Sequence, residues 1–264
     1  MKVAVIQMSA TADRSRNLKK AVDFIRRAID RRARLIVLPE VFIFRGRIRS
    51  GADVRAIAEA IPGASLIPLM ELAKKHKVFI LAGSIYEKTA GTDKVYNTSV
   101  FIDDRGTIRA KYRKIHLFEA VLGDMRIREA DCFMAGRRMV TARAEEFKIG
   151  LSICYDLRFP EMYRKYARLG VHAVCIPSAF IDETGKAHWE VLLRARAIEN
   201  RCYVLAPNQV GKSGKGARHY GHSMIIGPWG DILAAASGNK EEMICGQLSL
   251  NDIKVARQKL PALR

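Results

Sequence analysis

Paired cysteines, membrane spans and acidic charge are all scarce in this sequence. The five cysteines, Cys132, Cys154, Cys175, Cys202 and Cys245, are an odd number and show neither a CxxC pair nor a Cys/His spacing suited to a metal. This argues against a disulfide framework or a structural zinc site and points to a reducing, cytoplasmic setting. No apolar run reaches the length of a membrane span, and the opening MKVAVIQMSA passes into an amphipathic segment without the apolar core of a secretory leader. A soluble protein with no membrane partner is therefore expected. Acidic residues number 27 against 46 basic ones, leaving a net charge of +19 at pH 7. Such a surplus raises nucleic acid or an anionic membrane surface as partners. Yet the basic residues are scattered, Arg26, Arg27, Arg31, Arg32 and Arg34 are interleaved with apolar positions, and no aromatic-and-basic RNA-binding signature occurs. A solvated basic face, or steering of anionic substrates, is the expected use of the charge.

What is present is enough apolar material for a sizeable core: 264 residues, 49% hydrophobic. One α/β domain over residues 1–264 is expected. The chain is organised around residues 147–170, FKIGLSICYDLRFPEMYRKYARLG. The run 148–152 reads as a buried strand and 160–169 as a helix opened by a proline, which puts Cys154 at a strand-to-helix elbow. A sulfur there would face unpaired helix N–H groups that favour a thiolate. A lone cysteine is more often a small buried hydrophobe, so the context has to decide.

In chain order, 2–7 alternates as a strand, Asn17 is a candidate cap for a helix carrying Leu18, Ala21, Val22, Ile25 and Ile29, and 35–38 is a second strand. Pro39 ends that strand and delivers Glu40 at its carboxyl edge, where the alternative reading is a surface loop glutamate. Residues 46–53 read as a loop over a pocket, Ser65 as the cap of a helix to about His76, and 78–84 as a third strand. Segments 95–102 and 108–112, joined by Asp103, Asp104, Arg105 and Gly106, form a hairpin. Beyond it, alternation sends Arg113 and Lys114 to opposite faces, so one of them enters the interior, while His116 reads as a core histidine. Residues 120–136 are loop-rich and contain Glu129. After the elbow come a strand at 173–177, a loop at 178–185, a helix at 187–200, a strand at 204–206 and an exposed loop at 211–217. The GKSGKG run there does not match a Walker A loop. A second hairpin, 224–226 with 232–236, and a last strand at 243–248 precede a short basic helix.

Three segments, LPE at 38–40, YRKIHLF at 112–118 and CYDLRFPE at 154–161, together with GKAHWEVLLRARAIEN at 185–200 and GHSMIIGPWG at 221–230, resemble the nitrilase superfamily of carbon–nitrogen hydrolases. The CYDLRFPE and GKAHWEVLLRARAIEN runs are most similar to its amidase branch. The resemblance implies a four-layer α-β-β-α sandwich of the nitrilase type and a homodimer or larger homo-oligomer. It implies a catalytic triad of Glu40, Lys114 and Cys154, with Glu129 and the backbone N–H of Tyr155 in support and no metal or other cofactor. Arg158, Phe180 and His188 are the candidate substrate-binding residues, and the other cysteines are assigned structural places. Three functions follow for comparison: an amidase acting on a small, carboxylate-bearing linear amide, a nitrilase acting on an aliphatic nitrile, and a catalytically silent basic binding protein.

Overall fold

Strand β1 (Lys2–Gln7) turns Val3 and Val5 into one apolar cluster and Ala4 and Ile6 into another. This is the period-two alternation by which one strand serves two layers. In the computed structural model, which describes residues 1–122, 125–212 and 218–261, the same parity runs across a whole sheet. Parallel pairing of β1 with β2 (Leu35–Val37), and of β2 with β3 (Phe79–Leu81), puts Val3, Leu35 and Phe79 in one row and Ala4, Ile36 and Ile80 in the next. Next come β4 (Ile85–Glu87), β5 (Tyr96–Ile102) and β6 (Ile108–Arg113), with β5 antiparallel to β3, β4 and β6. Two short strands, β7 (Glu119–Leu122) and β8 (Met125–Arg128), pair with each other outside this sheet.

A second sheet uses β9 (Val140–Ala144), β10 (Phe147–Leu151), β11 (Ala173–Cys175) and β12 (Tyr203–Ala206). After the separate antiparallel pair β13 (Val210–Lys212) and β14 (Arg218–Tyr220), it is completed by β15 (Met224–Ile226) and β16 (Ile232–Ala235). Its order is β16-β15-β12-β11-β10-β9. Strand β17 (Glu242–Gln247) returns to the first sheet, antiparallel to β1, and forms its edge beside that strand.

Helices close the outer faces. In α1 (Arg14–Asp30) the buried Ala21, Phe24, Ile25 and Ala28 form one stripe. They pack with Leu69, Leu72 and Ala73 of α3 (Ile67–His76) on Ala4, Ile36 and Ile80; the short α2 (Gly51–Ile57) lies between these helices in the chain. The opposite faces of the two sheets meet, Val5, Val37, Phe101 and Tyr112 sharing a cluster with Ala142, Ile149 and Leu151. Helices α4 (Pro160–Arg168) and α5 (Asp182–Asn200) cover the second sheet, where Gly150 leaves room for the Tyr166 ring. The result is the four-layer α-β-β-α sandwich, followed by α6 (Leu250–Lys259). Among the described residues no helix is long and apolar enough to cross a membrane.

Several local expectations are corrected. Asn17 lies buried inside α1, where its amide donates to the carbonyls of Thr11 and Ile43, while Asp13 caps the helix by accepting from Arg16 N at 2.9 Å. Ser65 donates its hydroxyl to Glu59 rather than capping α3. The 46–53 loop ends in a Ser50–Asp53 capping box that starts α2. The 78–84 strand breaks after Leu81, and 120–136 contains the β7–β8 pair instead of loop alone. Of the 211–217 loop, Gly211 and Lys212 belong to β13, and 213–217 lie outside the described residues.

Candidate active site

Three side chains named from the sequence leave the carboxyl ends of three strands at one end of the sandwich. Glu40 follows β2 by way of Leu38 and Pro39, Lys114 follows β6 directly, and Cys154 follows β10. The turn that carries Glu40 is tightly held. A Cβ on Gly83 would stand 1.8 Å from the Pro39 carbonyl oxygen, so only glycine lets the next segment pass. Beside it, Val41 N donates to Ser84 Oγ at 2.9 Å. Val41 adopts φ 45°, a strained conformation for a β-branched residue that is retained because its surroundings fix it. Gln209 anchors the Glu40 carbonyl at 2.8 Å.

Glu40 and Lys114 are 3% and 1% exposed, and charges so buried need partners. Lys114 Nζ donates to Glu40 Oε1 at 3.3 Å and to the two Glu129 oxygens at 3.1 and 2.8 Å. Asn97 donates to the same Glu40 oxygen at 2.9 Å. Glu129 opens a short 3₁₀ turn, and its Oε2 also accepts from Phe118 N at 2.8 Å. Burial opposes the charge on Lys114, yet Glu129 and Glu40 outweigh it and hold the ammonium well above its ordinary range. Lys114 is thus the interior member of the Arg113/Lys114 pair. Arg113 turns outward to a two-bond ion pair with Glu87, at 2.8 Å each, over the Tyr96 ring.

Cys154 differs from the expectation in one physical respect. It opens a five-residue 3₁₀ turn, Cys154–Arg158, and α4 starts only at Pro160, so no α-helix N-terminus faces the sulfur. Burial pushes the thiol well up and the Glu40 carboxylate pushes it further, with Lys114 and the Ala179 N–H opposing only in part. The resting group is a protonated thiol in contact with a carboxylate. That arrangement calls for a base. Cys154 itself adopts φ 48°, the left-handed region, and its N–H donates to Pro177 O at 2.9 Å.

One group that sequence reading passed over ties the lysine segment to the cysteine turn. Asp156, fully buried, accepts from Tyr112 OH at 2.7 Å and Ile153 N at 2.8 Å on one oxygen. On the other it accepts from His116 N at 3.0 Å and His116 Nδ1 at 2.7 Å. Tyr112 and His116 bracket Lys114, and Ile153 and Asp156 bracket Cys154. His116, read as a core histidine, is therefore part of this tie, and it stacks on Phe159 with ring centroids 3.6 Å apart.

The remaining candidates form a second group beside the first. Tyr155 meets Phe118 edge-on and donates its hydroxyl to Glu119 O at 3.4 Å. Arg158 lies over the Tyr155 and Phe180 rings, 3.3 Å from His188 Nδ1. Neither Asp156 nor Glu161 pairs with it, and no described carboxylate lies within ion-pair distance. Phe180 is buried against Trp189, whereas His188 is exposed.

Three further residues were not singled out from the sequence. Arg45 Nη2 lies 2.8 Å from His219 Nε2, and His219 Nδ1 lies 3.2 Å from the Ala179 carbonyl. A carbonyl only accepts, so Nδ1 carries the proton and Nε2 accepts from Arg45. Burial, aided by Arg45, lowers His219 to about 3, so this imidazole is neutral at ordinary pH. Burial raises the Tyr86 phenol; Arg45 is the strongest charge acting on it, followed by Glu40, Glu129 and Lys114. No signal short of the folded structure joins Arg45 to a histidine 174 positions away.

Among the described residues no group of three or more His, Cys, Asp and Glu side chains is placed to hold a metal ion. A cleft of about 770 Å³ at the opposite end of the strands, lined by Phe79, Asp103, Arg109 and Lys148, contains none of the groups above.

The sequence pattern described as Carbon-nitrogen hydrolase matches residues 2–258. Deaminated glutathione amidase of Synechocystis is 40% identical over 265 residues, covering 99% of this chain and 96% of that protein. Omega-amidase NIT2 of Homo sapiens is 37% identical over 265 residues, covering 100% of this chain and 94% of that protein. The crystal structure of the C. elegans NitFhit protein superposes with a TM-score of 0.90 at 35% identity; 98% of this chain is covered, and the chain spans only 63% of NitFhit.

Proposed function

Because the chain belongs to the carbon–nitrogen hydrolase family, we propose that it is a cysteine amidase that cleaves a small linear amide bearing a remote carboxylate, with Cys154 as nucleophile. The observation that carries this reading is the contact of one buried carboxylate, Glu40, with both the thiol and the Lys114 ammonium. Glu40 accepts the Sγ proton as sulfur attacks the amide carbon, forming the C–S bond and moving the carbonyl π pair onto oxygen. Lys114 Nζ and the Tyr155 N–H stabilise that oxyanion. On collapse the C–N bond breaks, Glu40 returns its proton to nitrogen, and ammonia leaves a thioester on Cys154. Glu40 then takes a proton from water as its oxygen attacks the thioester; the second collapse breaks the C–S bond, releases the acid and restores the thiol. Glu129 holds Lys114 on its far side, and the Asp156 tie fixes the lysine relative to the sulfur.

Arg158 supports the carboxylate preference, since its guanidinium has aromatic and imidazole neighbours but no described acidic one. The +19 charge favours the same substrates by long-range attraction. Residues 1–264 act as one hydrolase domain in this reading, the family match covering 2–258. The proposed assembly is a homodimer, supported by exposed Trp229, Leu233 and Val255 around a groove of about 240 Å³ between the β15–β16 turn and α6. Sedimentation at micromolar concentration tests it, a monomer being the contrary result.

The test of function is ammonia release from the monoamide of a short dicarboxylic acid and from an aliphatic nitrile, measured side by side. The amide is expected to be the better substrate by kcat/KM. A preference for the nitrile would make the chain a nitrilase, and turnover of neither would leave the silent binding protein.

A further inference from the structure

The site holds a guanidinium that the mechanism above does not use. Arg45 is half-buried, five residues beyond Glu40, and no described carboxylate lies within ion-pair distance of it. Its position is nevertheless fixed. His219, 2% exposed, accepts from Arg45 Nη2 and donates to the carbonyl of Ala179, the residue whose N–H meets the Cys154 sulfur. Strand β14 holds His219 against the same segment, bridging Ile181, with Tyr220 N donating to Phe180 O at 2.9 Å. A neutral imidazole aims the guanidinium without neutralising it. An unpaired, oriented Arg next to a buried site matches a carboxylate, to which its fork of N–H groups donates in pairs.

Tyr86 adds a second donor. Its ring packs on Phe133, its residue is 6% exposed, and its hydroxyl has no hydrogen-bond partner among the described residues. Arg158 approaches the 178–180 segment from the Phe180 and His188 side, and Arg45 from the Ala179 and His219 side. Two guanidiniums without a described carboxylate partner therefore approach the 178–180 segment whose Ala179 N–H meets the sulfur, in addition to Lys114, whose charge Glu40 and Glu129 already answer.

We propose that Arg45, oriented by His219 and joined by the Tyr86 hydroxyl, is a second anion-binding subsite, and that the preferred substrate is an amide carrying two carboxylates. This rests on the amidase reading with Arg158 at the first carboxylate. The shared chemistry is a second carboxylate, borne either by the acyl half or by the amine half of the amide.

Three amides separate these cases: glutaric acid monoamide with one carboxylate, tricarballylic acid monoamide with both on the acyl half, and glutarylglycine with one on each half. Their dissociation constants are measured by calorimetry on Cys154→Ala protein, and kcat/KM on the active enzyme. One of the dicarboxylates should bind at least about tenfold tighter than glutaric acid monoamide, a step of about 1.4 kcal/mol. Arg45→Gln should cut that preference about tenfold and Arg45→Lys should restore part of it, which a folding defect would not. Equal binding of all three amides, or an equal fractional loss for all three in Arg45→Gln, overturns the subsite. Hydrolysis of glutaric acid monoamide alone, without Arg45-dependent preference, leaves the amidase reading standing and removes this one; Arg45-dependent binding without hydrolysis does the reverse.

Discussion

Glu129→Gln probes the lysine clamp with almost no change of shape. In the native site Glu129 Oε2 accepts from Lys114 Nζ at 2.8 Å and Phe118 N at 2.8 Å, while Oε1 accepts from Nζ at 3.1 Å. Glutamine has one carbonyl oxygen and one NH₂. With the NH₂ at the Oε2 place, two donors face a donor; with it at the Oε1 place, the amide still points hydrogens at an ammonium. Either way a charge-assisted hydrogen bond is lost beside a buried cation, at about 1.5–3 kcal/mol. Lys114 then turns toward Glu40 and away from the oxyanion position, so kcat should fall by about 100-fold, the effect of losing one oxyanion donor. KM should change much less. The pH dependence has a definite sign. Native Lys114 has a folded value above its unfolded one, so its contribution is complete below about pH 10 and is lost as pH rises through the raised value. Removing the Glu129 charge leaves burial less opposed and lowers the folded value, so the alkaline decline of stability should be smaller and end at lower pH in the variant. Ammonia-release kinetics and denaturant melts between pH 7 and 11 measure both. A kcat within threefold of wild type, with an unchanged alkaline limb, would refute the clamp.

Glu40→Gln should keep the fold and lose about 100-fold or more in turnover, since a raised thiol pKa leaves Cys154 dependent on a base; a near-normal rate would sink that role. Asp156→Asn sets an NH₂ against either Ile153 N or His116 N, so denaturant melts should show a loss of about 1–3 kcal/mol together with reduced turnover; wild-type stability would show the tie to be dispensable. The ratio of kcat/KM for an ω-monoamide acid over its methyl ester should exceed one at low salt and fall as ionic strength rises; a better ester at low salt would remove the anionic substrate.

What was legible in the sequence is what depends on local pattern. The alternating 2–7 strand, the β5–β6 hairpin and the strand before Cys154 follow from periodicity and turn residues, and with them the strand ends that carry Glu40, Lys114 and Cys154. What was not legible depends on partners distant in the chain. Asn17 and Ser65 are good caps by type, but each found a tertiary partner, and capping needs the right backbone dihedral as well as the right side chain. Strand β9, VTARA, is half polar because it lies at the edge of its sheet. Arg113 and Lys114 were symmetrical by alternation, and only the placement of Glu87 and Glu129 decided which went inside. The thiol's setting was misjudged for the same reason: α4 begins at Pro160 as read, but the 3₁₀ turn Cys154–Arg158 stands between it and the sulfur, and the charge that raises the thiol is that of the distant Glu40.

The central claim, that Cys154 carries the acyl group, is tested most directly by mass spectrometry of enzyme quenched in acid during steady turnover of glutaric acid monoamide. The protein should gain the mass of one glutaryl group in thioester linkage, mapping to the peptide containing Cys154 and absent from Cys154→Ala. An acyl group on Cys132, Cys175, Cys202 or Cys245, or more than a few per cent of wild-type turnover in Cys154→Ala, would contradict it.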